Sequence, residues 1–321
     1  MPEPAPVPLR ILVTGATGFV GRRLVGRLEA VGHRVGAVAI DGHQLSGAVE
    51  RYAIDIRDAG ALTAAFARFN PDRIVHLAAL SHVGESWRRI PDYFAINVLG
   101  VEHVLAAAGD CPVLFMSSAE VYGLVPDEAQ PISERREVSP RTPYAMTKAA
   151  AERLVLAAGA TVVRSFNLIG AGQAASFALP SFAAQLAAIE RGAEPLLAVG
   201  NLSARRDFVH IDDAVMALAQ LAEVPQPGEI FNLASGADSS IAELLERLIA
   251  LSGLAVRCRE DPEKLRPVDV PRLCGDASRL RALGWAPERG VETALRDLFA
   301  EVLTGHLGPA GAAARGHQGF A

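Results

Sequence analysis

The sequence predicts an α/β fold built on a parallel sheet, and two observations carry that prediction. The β-branched run Arg10–Thr14 passes straight into a glycine-rich turn and then the helical stretch Arg22–Val31. Short apolar runs then recur along the chain with helical segments between them, the alternation expected of βαβ units. Runs that are apolar at consecutive positions suit strands covered on both faces. Gly32 stops the first helix, His33–Ile40 supplies a second strand, and a short third strand precedes Asp55. Arg73–Leu77 is a fourth strand, Pro112–Met116 a fifth and Thr161–Phe166 a sixth. Tyr93–Ala108 and Pro143–Ala157 are expected as helices, the second with Thr142 as N-cap and Pro143 at the first helical position. Further on, Phe208–Ala222 is expected as a helix and Glu229–Leu233 as another strand.

In Thr14-Gly15-Ala16-Thr17-Gly18-Phe19-Val20-Gly21 the three glycines permit a tight turn, close approach of a ligand to backbone, and close helix–strand packing. The helix N-terminus that follows offers N–H groups to a pyrophosphate, so Gly15, Thr17, Gly18, Phe19 and Val20 are the expected cofactor-binding residues. The spacing is G-x-x-G-x-x-G rather than the usual G-x-G-x-x-G, and a glycine-rich turn without a ligand is the other reading. An acid near the end of the second strand would take the adenosine ribose. Asp41 is present slightly beyond the expected place near Ala39, and no Arg stands in that turn to hold a 2′-phosphate. The choice between NAD and NADP stays open, leaning to NAD(H). Asp55 and Ile56 are read as adenine contacts, with a solvated loop acid as the alternative for Asp55. Leu77-Ala78-Ala79 ends the fourth strand in side chains that leave room for a cofactor crossing the sheet edge.

Tyr144 and Lys148 stand four residues apart on the expected helix from Pro143, so their side chains share one face. Lysine is scarce here, with two lysines among 31 basic Lys and Arg residues. A position that keeps Lys in so arginine-rich a chain suits a compact, orientable ammonium. Beside the phenol, Lys148 is expected to draw the Tyr144 pKa below its usual value of about 10 and make it a proton donor or acceptor near neutral pH.

The glycine motif, HLAA (76–79), SSAEVYG (117–123), PYAMTK (143–148), SFNLIGAGQ (165–173) and RRDFVHIDD (205–213) follow one another in order. With these motifs the chain, from about residue 9 to about 300, resembles the extended short-chain dehydrogenase/reductases, the NAD-dependent epimerase/dehydratase family of nucleotide-sugar enzymes. FNPDRIVHLAALSHVGESW, SFNLIGAGQ, VGNLSARRDF and LRPVDVPRLCGDASRLRALGW are most similar to the GDP-4-keto-6-deoxy-mannose reductases and GDP-mannose 4,6-dehydratases. The resemblance implies a Rossmann-type doubly wound parallel sheet with a smaller C-terminal mixed α/β substrate cap. It also implies NAD(P)(H), a GDP-linked sugar substrate, and Ser118, Tyr144 and Lys148 as the catalytic set. A ketone reduced by hydride needs a proton at the developing alkoxide, which Tyr144 is placed to donate while Ser118 stabilises the charge. Glu120 stands where the dehydratases carry the carboxylate that removes the sugar C5 proton. The reductases carry Glu there too, and a loop-ordering role is the other reading. The neighbouring Ala119 has no proton to give, which favours reductase or NAD-retaining 4-epimerase over 4,6-dehydratase. Asn167, Arg206 and Arg266 match residues that grip sugar or diphosphate in relatives, where a guanidinium fork suits phosphate. For either arginine alone, a surface ion pair is the alternative. Leu168 and Ala171 depart from the reductase pattern of His and Pro, and the segment from Lys148 to Thr161 is short for the family. A non-catalytic scaffold on this fold is the remaining class, and the intact Ser118, Tyr144 and Lys148 argue against it.

The expected organisation is a leader at 1–8, a dinucleotide-binding domain at 9–166 and 208–250, a substrate cap at 167–207 and 251–308, and a disordered tail at 309–321. Half of the residues are hydrophobic and the net charge is −5, which gives no case for nucleic acid or membrane surfaces. No apolar run is long and clean enough to span a bilayer. The arginine pairs 22–23, 88–89 and 135–136 are read as solvated. Cys111, Cys258 and Cys274 form no disulfide or metal pattern, which suits a reducing cytoplasm. No metal site is expected. The helices at 93–108 and 143–157 carry apolar faces that in the family pack across a two-fold axis, so a homodimer is expected.

Overall fold

The computed structural model describes residues 8–41, 45 and 47–304; the leader to residue 7 and the tail at 309–321 lie outside the described residues. The chain begins β1 (Arg10–Thr14), α1 (Gly21–Ala30), β2 (Arg34–Ala39), β3 (Glu50–Ala53), α2 (Ala59–Phe69) and β4 (Arg73–His76). Then come α3 (Val83–Ser86), α4 (Ile90–Phe94), α5 (Gly100–Ala108), β5 (Val113–Ser118), α6 (Pro143–Ala157), β6 (Thr161–Ser165) and β7 (Asn167–Ile169). The remainder is α7 (Ala178–Glu190), β8 (Leu196–Val199), β9 (Arg205–His210), α8 (Ile211–Glu223), β10 (Ile230–Leu233), β11 (Asp238–Ser240) and α9 (Ile241–Ser252). It closes with β12 (Arg257–Glu260), β13 (Arg272–Leu273), α10 (Ser278–Ala282) and α11 (Val291–Leu303).

Seven strands form one sheet in the order β10-β6-β5-β4-β1-β2-β3, every neighbouring pair parallel. Alternate residues of β1 serve opposite layers. Ile11 and Val13 join a cluster with Leu24 and Leu28 of α1 and Leu218 of α8, while Leu12 joins Phe66 and Phe69 of α2 and Val155 of α6. This two-sided cover is why the strands read as unbroken apolar runs, and the expected doubly wound sheet is borne out. A second core gathers Phe182 and Leu186 of α7, Leu197 of β8, Leu244 and Leu248 of α9, and Leu295 and Leu298 of α11. Its strands pair as β11-β9-β13 with β7 beside β9, and as β8 with β12, mixing parallel and antiparallel contacts.

Three expectations change. Phe208–His210 completes β9, with Phe208 in register with Asn167, and the helix starts only at Ile211. His210 ends the strand because its ring nitrogen accepts the Asp212 N–H at 3.1 Å, capping α8. The helix expected over Tyr93–Ala108 is broken by a π-helical turn at Ala95–Leu99, which turns Asn97 inward to bond both N–H and C=O of Leu80. Helix α9 supplies Ile241, Leu244, Leu245 and Leu248 to the second core, while Leu280 and Trp285 sit in the first. An amphipathic face announces that it is buried but not against which core.

The strand order reverses between β1 and β4, and open α/β sheets bind ligands at such a switch point. There the turn after β1 presses on the chain leaving β4. A Cβ on Gly15, whose φ is +69°, would lie 2.7 Å from Ala78 N, and one on Gly21 would lie 2.2 Å from Gly15 O. Gly21→Ala is expected to force α1 away from β1 and destabilise the protein by about 1–3 kcal/mol. A thermal melt should fall by several degrees; an unchanged melt would mean that the turn relaxes freely.

Candidate active site

At the carboxyl ends of β1, β4 and β5 lies a cavity of about 300 Å³. Gly15, Gly18, Phe19 and Val20 reach it from the β1–α1 turn, Leu77 and Ala79 from the β4 end, and Ser118 and Glu120 from the β5 end. Tyr144 and Lys148 enter from α6, and Asn167 and Arg266 from the other side. The Phe19 and Val20 N–H groups have no hydrogen-bond acceptor among the described residues. Ala78 stands behind Gly15, its N–H directed at Thr14 Oγ1 at 3.4 Å. The Thr17 hydroxyl donates to Asp41 at 3.3 Å, which places that carboxylate beside the glycine turn. Asp55 is held by the Arg57 guanidinium, which keeps its carboxyl below the usual range. Ile56 is buried, packed against Gly100 of α5 rather than facing the cavity.

Thr142 caps α6 as expected, its hydroxyl accepting the Ala145 N–H at 3.1 Å. This start fixes the helix rotation so that Tyr144, Lys148, Ala151, Glu152 and Val155 share the buried face. Ser118 Oγ accepts the Glu120 N–H at 3.2 Å, and Ser118 and Tyr144 both line the cavity. Tyr93 meets Tyr144 edge-on, with ring centroids 6.4 Å apart, and donates its own hydroxyl to His82 O at 2.6 Å.

The expected electrostatics are reversed. Burial pushes the Tyr144 phenol up to about 12, helped by the Glu120 carboxylate and opposed by the Ser118 hydroxyl. Lys148 does not offset this because its ammonium is occupied elsewhere, donating to Met116 O at 2.8 Å and lying 4.6 Å above the Phe115 ring. Burial pushes Lys148 down to about 7, with the Glu152 charge opposing. Glu152 in turn accepts Ser117 Oγ at 2.5 Å and a fork from the buried Arg164 at 2.8–3.2 Å. Tyr144 is therefore a protonated phenol at neutral pH.

A larger cavity of about 650 Å³ adjoins, and His82, Asn167, Gln173, Phe177 and Arg266 line both. Arg206 lines the larger cavity and donates to Asp269 at 2.8 Å, while Asn201 holds the other Asp269 oxygen at 2.8 Å. Burial pushes the Arg206 guanidinium down, opposed by the charges of Glu120 and Asp269. Lys264, the second lysine, also lines this cavity and donates to Ala198 O at 3.0 Å. His82, Gln173, Phe177 and Lys264 were not singled out in the sequence. His82 and Gln173 lay inside motifs read for their neighbours, and Asn97 announced itself only as a polar residue in an apolar stretch.

A parallel sheet in this order, with a Ser-Tyr-Lys group at its switch point, defines the extended short-chain dehydrogenase/reductase class. Within it, the chain belongs to the NAD dependent epimerase/dehydratase family, whose model matches residues 11–234. It is 34% identical over 304 residues to GDP-6-deoxy-D-mannose reductase of Pseudomonas aeruginosa, covering 91% of this chain and 96% of that protein. The solved structure of RMD from Pseudomonas aeruginosa complexed with NADPH is 32% identical with a TM-score of 0.81, covering 94% of this chain and 99% of that one. UDP-glucose 4-epimerase of Thermus thermophilus in complex with NAD is 26% identical with a TM-score of 0.84, covering 92% and 99%.

Lys148 gives a test of this electrostatic arrangement. Its folded pKa of about 7 lies below the 10.5 of the unfolded chain, so its charge opposes folding in full below pH 7. That cost is relieved as pH rises towards 10.5. Lys148→Met is expected to raise stability at neutral and acidic pH by on the order of a few kcal/mol and to flatten its rise above pH 7. Denaturant unfolding across that pH range reads this, and a parallel wild-type and variant profile would refute it.

Proposed function

We propose that this protein reduces the 4-keto group of a GDP-4-keto-6-deoxy-hexose with NAD(P)H. The observation that carries the reading is the convergence of Ser118, Tyr144 and Lys148 on one cavity beside the glycine turn. A phenol at that place donates the proton that reduction requires. The likeness to a GDP-6-deoxy-D-mannose reductase over nearly the whole chain supports the substrate class.

The residues around the smaller cavity suit part of a dinucleotide. The unpartnered N–H groups of Phe19 and Val20 suit a pyrophosphate at the α1 N-terminus. Asp41 beside Thr17 suits an unphosphorylated ribose, which favours NAD(H); one similar structure is complexed with NADPH and another with NAD. When bound, the nicotinamide supplies the hydride. Ser118 and Tyr144 bind the carbonyl oxygen, Tyr144 transfers its proton to that oxygen, and Lys148 holds the nicotinamide ribose. Arg206, Arg266 and Asn167 hold the diphosphate and sugar in the larger cavity. Glu120 faces the sugar with no proton-donating neighbour at Ala119, which disfavours a dehydratase.

An NAD-retaining 4-epimerase is the second reading, favoured by the likeness to the Thermus thermophilus enzyme. Nicotinamide absorbance with each reduced cofactor and freshly made GDP-4-keto-6-deoxy-mannose separates them. Stoichiometric loss is expected, and sugar interconversion without loss would select the epimerase. Tyr144→Phe is expected to lower turnover about 10²–10⁴-fold while dinucleotide binding stays within a few-fold. Unchanged turnover would remove Tyr144 from the chemistry.

The protein is further proposed to work as a cytoplasmic homodimer. No helix among the described residues is long and apolar enough to cross a membrane, and Cys111, Cys258 and Cys274 are free thiols. Ile90, Phe94, Leu99, Met146 and Leu154 are exposed on α4, the π-helical turn and α6, with Leu99 56% exposed. Sedimentation should give a dimer that Phe94→Glu with Leu99→Glu converts to a folded monomer; a wild-type monomer would overturn the pairing.

A further inference from the structure

Arg22 and Arg23 open α1, and the sequence reads both as solvated; the structure turns both toward the 170–177 loop. Arg22 Nη2 donates to Gly172 O at 2.6 Å, and Arg23 Nη2 donates to Ala171 O at 2.5 Å. Arg23 also lies over the Phe19 ring, 5.2 Å from its centroid, and pairs with Asp212 of α8 at 3.5 Å. Gly172 has φ +77°, and a Cβ there would lie 1.8 Å from Arg22 Nη2, so the guanidinium occupies space that a side chain would take. The Gly172 N–H donates to Glu301 of α11, and His82 bonds Ser176 O at 3.1 Å, so the loop is tied at both ends. Between those ties it supplies Gln173, and just beyond them Phe177, to both cavities.

One guanidinium thus touches a residue of the glycine turn and a residue of the loop that borders the larger cavity. We propose that Arg22 and Arg23 are positioning residues that couple the two cavities, so that a dinucleotide and a nucleoside diphosphate bind cooperatively. The inference rests on the cofactor reading given above. A ligand against Phe19 and the first turn of α1 restricts the surface on which Arg23 lies. That restriction passes through the two guanidiniums to the Ala171 and Gly172 carbonyls they hold, and so to the loop that lines the second cavity. Linkage requires the gain to be equal in both directions.

Calorimetric titration of the whole protein tests this, with GDP alone, with GDP at saturating NADP⁺ or NAD⁺, and with the order reversed. GDP is expected to bind about tenfold tighter with dinucleotide present, and the dinucleotide to gain the same factor from GDP. In Arg23→Ala and Arg22→Met that factor should fall to near one while each ligand still binds alone. Arg23→Lys keeps the charge but not the planar fork, so it should also lose coupling if the bridge, rather than attraction for phosphate, is responsible. Independent binding in the wild type, or coupling unchanged in Arg23→Ala, overturns the proposal. Failure of the wild type to bind any dinucleotide overturns the cofactor reading and the coupling with it. Intact coupling without reduction of the keto sugar removes the activity and leaves the coupling standing.

Discussion

The contact between Gly15 and Ala78 is the constraint on which the rest of the structure depends. Parallel strands of reversed order put β1 beside β4 in mid-sheet, and their outgoing chains must part there at van der Waals distance. Only a residue without Cβ, at positive φ, fits between them. The parting opens the smaller cavity, and Gly21 then lets α1 approach closely enough to aim its first N–H groups into it. Ser118 at the end of β5 and Tyr144 on α6 are reached from the same opening.

Around that opening the protein keeps its ionisable groups in the protonation state that burial dictates. Tyr144 and Lys148 are both enclosed, and for each the loss of water outweighs any neighbouring charge. One turn further along α6, Glu152 is enclosed as well, yet it stays an ion-pair partner because Arg164 meets it with two nitrogens and Ser117 adds a hydrogen bond. Arg164 continues to Tyr122 at 3.2 Å, and Tyr122 to Asn232 at 2.7 Å, linking β6 to β10 beneath the site. A buried pair is stable only with its partners complete, so this network specifies one arrangement of the strand ends that carry Ser117 and Ser118.

Around the cleft, short polar ties add to the apolar packing of Val209, Val270 and Leu273 in the first core. Arg22 and Arg23 reach from α1, His82 reaches from the β4 end, and Asp269 holds Arg206 against the wall of the larger cavity. Asp207, next to Arg206, is fully buried and accepts from Ser235, Gly236 and Gly275, which anchors the loops around β9. Adjacent residues of one strand thus serve the cavity and the frame by alternation of side chains.

The sequence by itself determined the seven-strand alternation, the turn at Gly15–Gly21, the α6 cap at Thr142 and the facing of Tyr144 and Lys148. Each of these is local, set by β-branched runs, glycine freedom, capping chemistry or a four-residue helical spacing. It did not determine where β9 stops, why the helix after Tyr93 breaks at Asn97, or that α9 joins the second core. Those depend on residues far apart in the chain, such as Leu80 for Asn97 and Asn167 for Phe208. Nor did it determine the pKa order of Tyr144 and Lys148 or the partners of Arg22 and Arg23. Spacing puts two groups within reach, but only the folded chain decides how much water each loses and which carbonyl takes each charge.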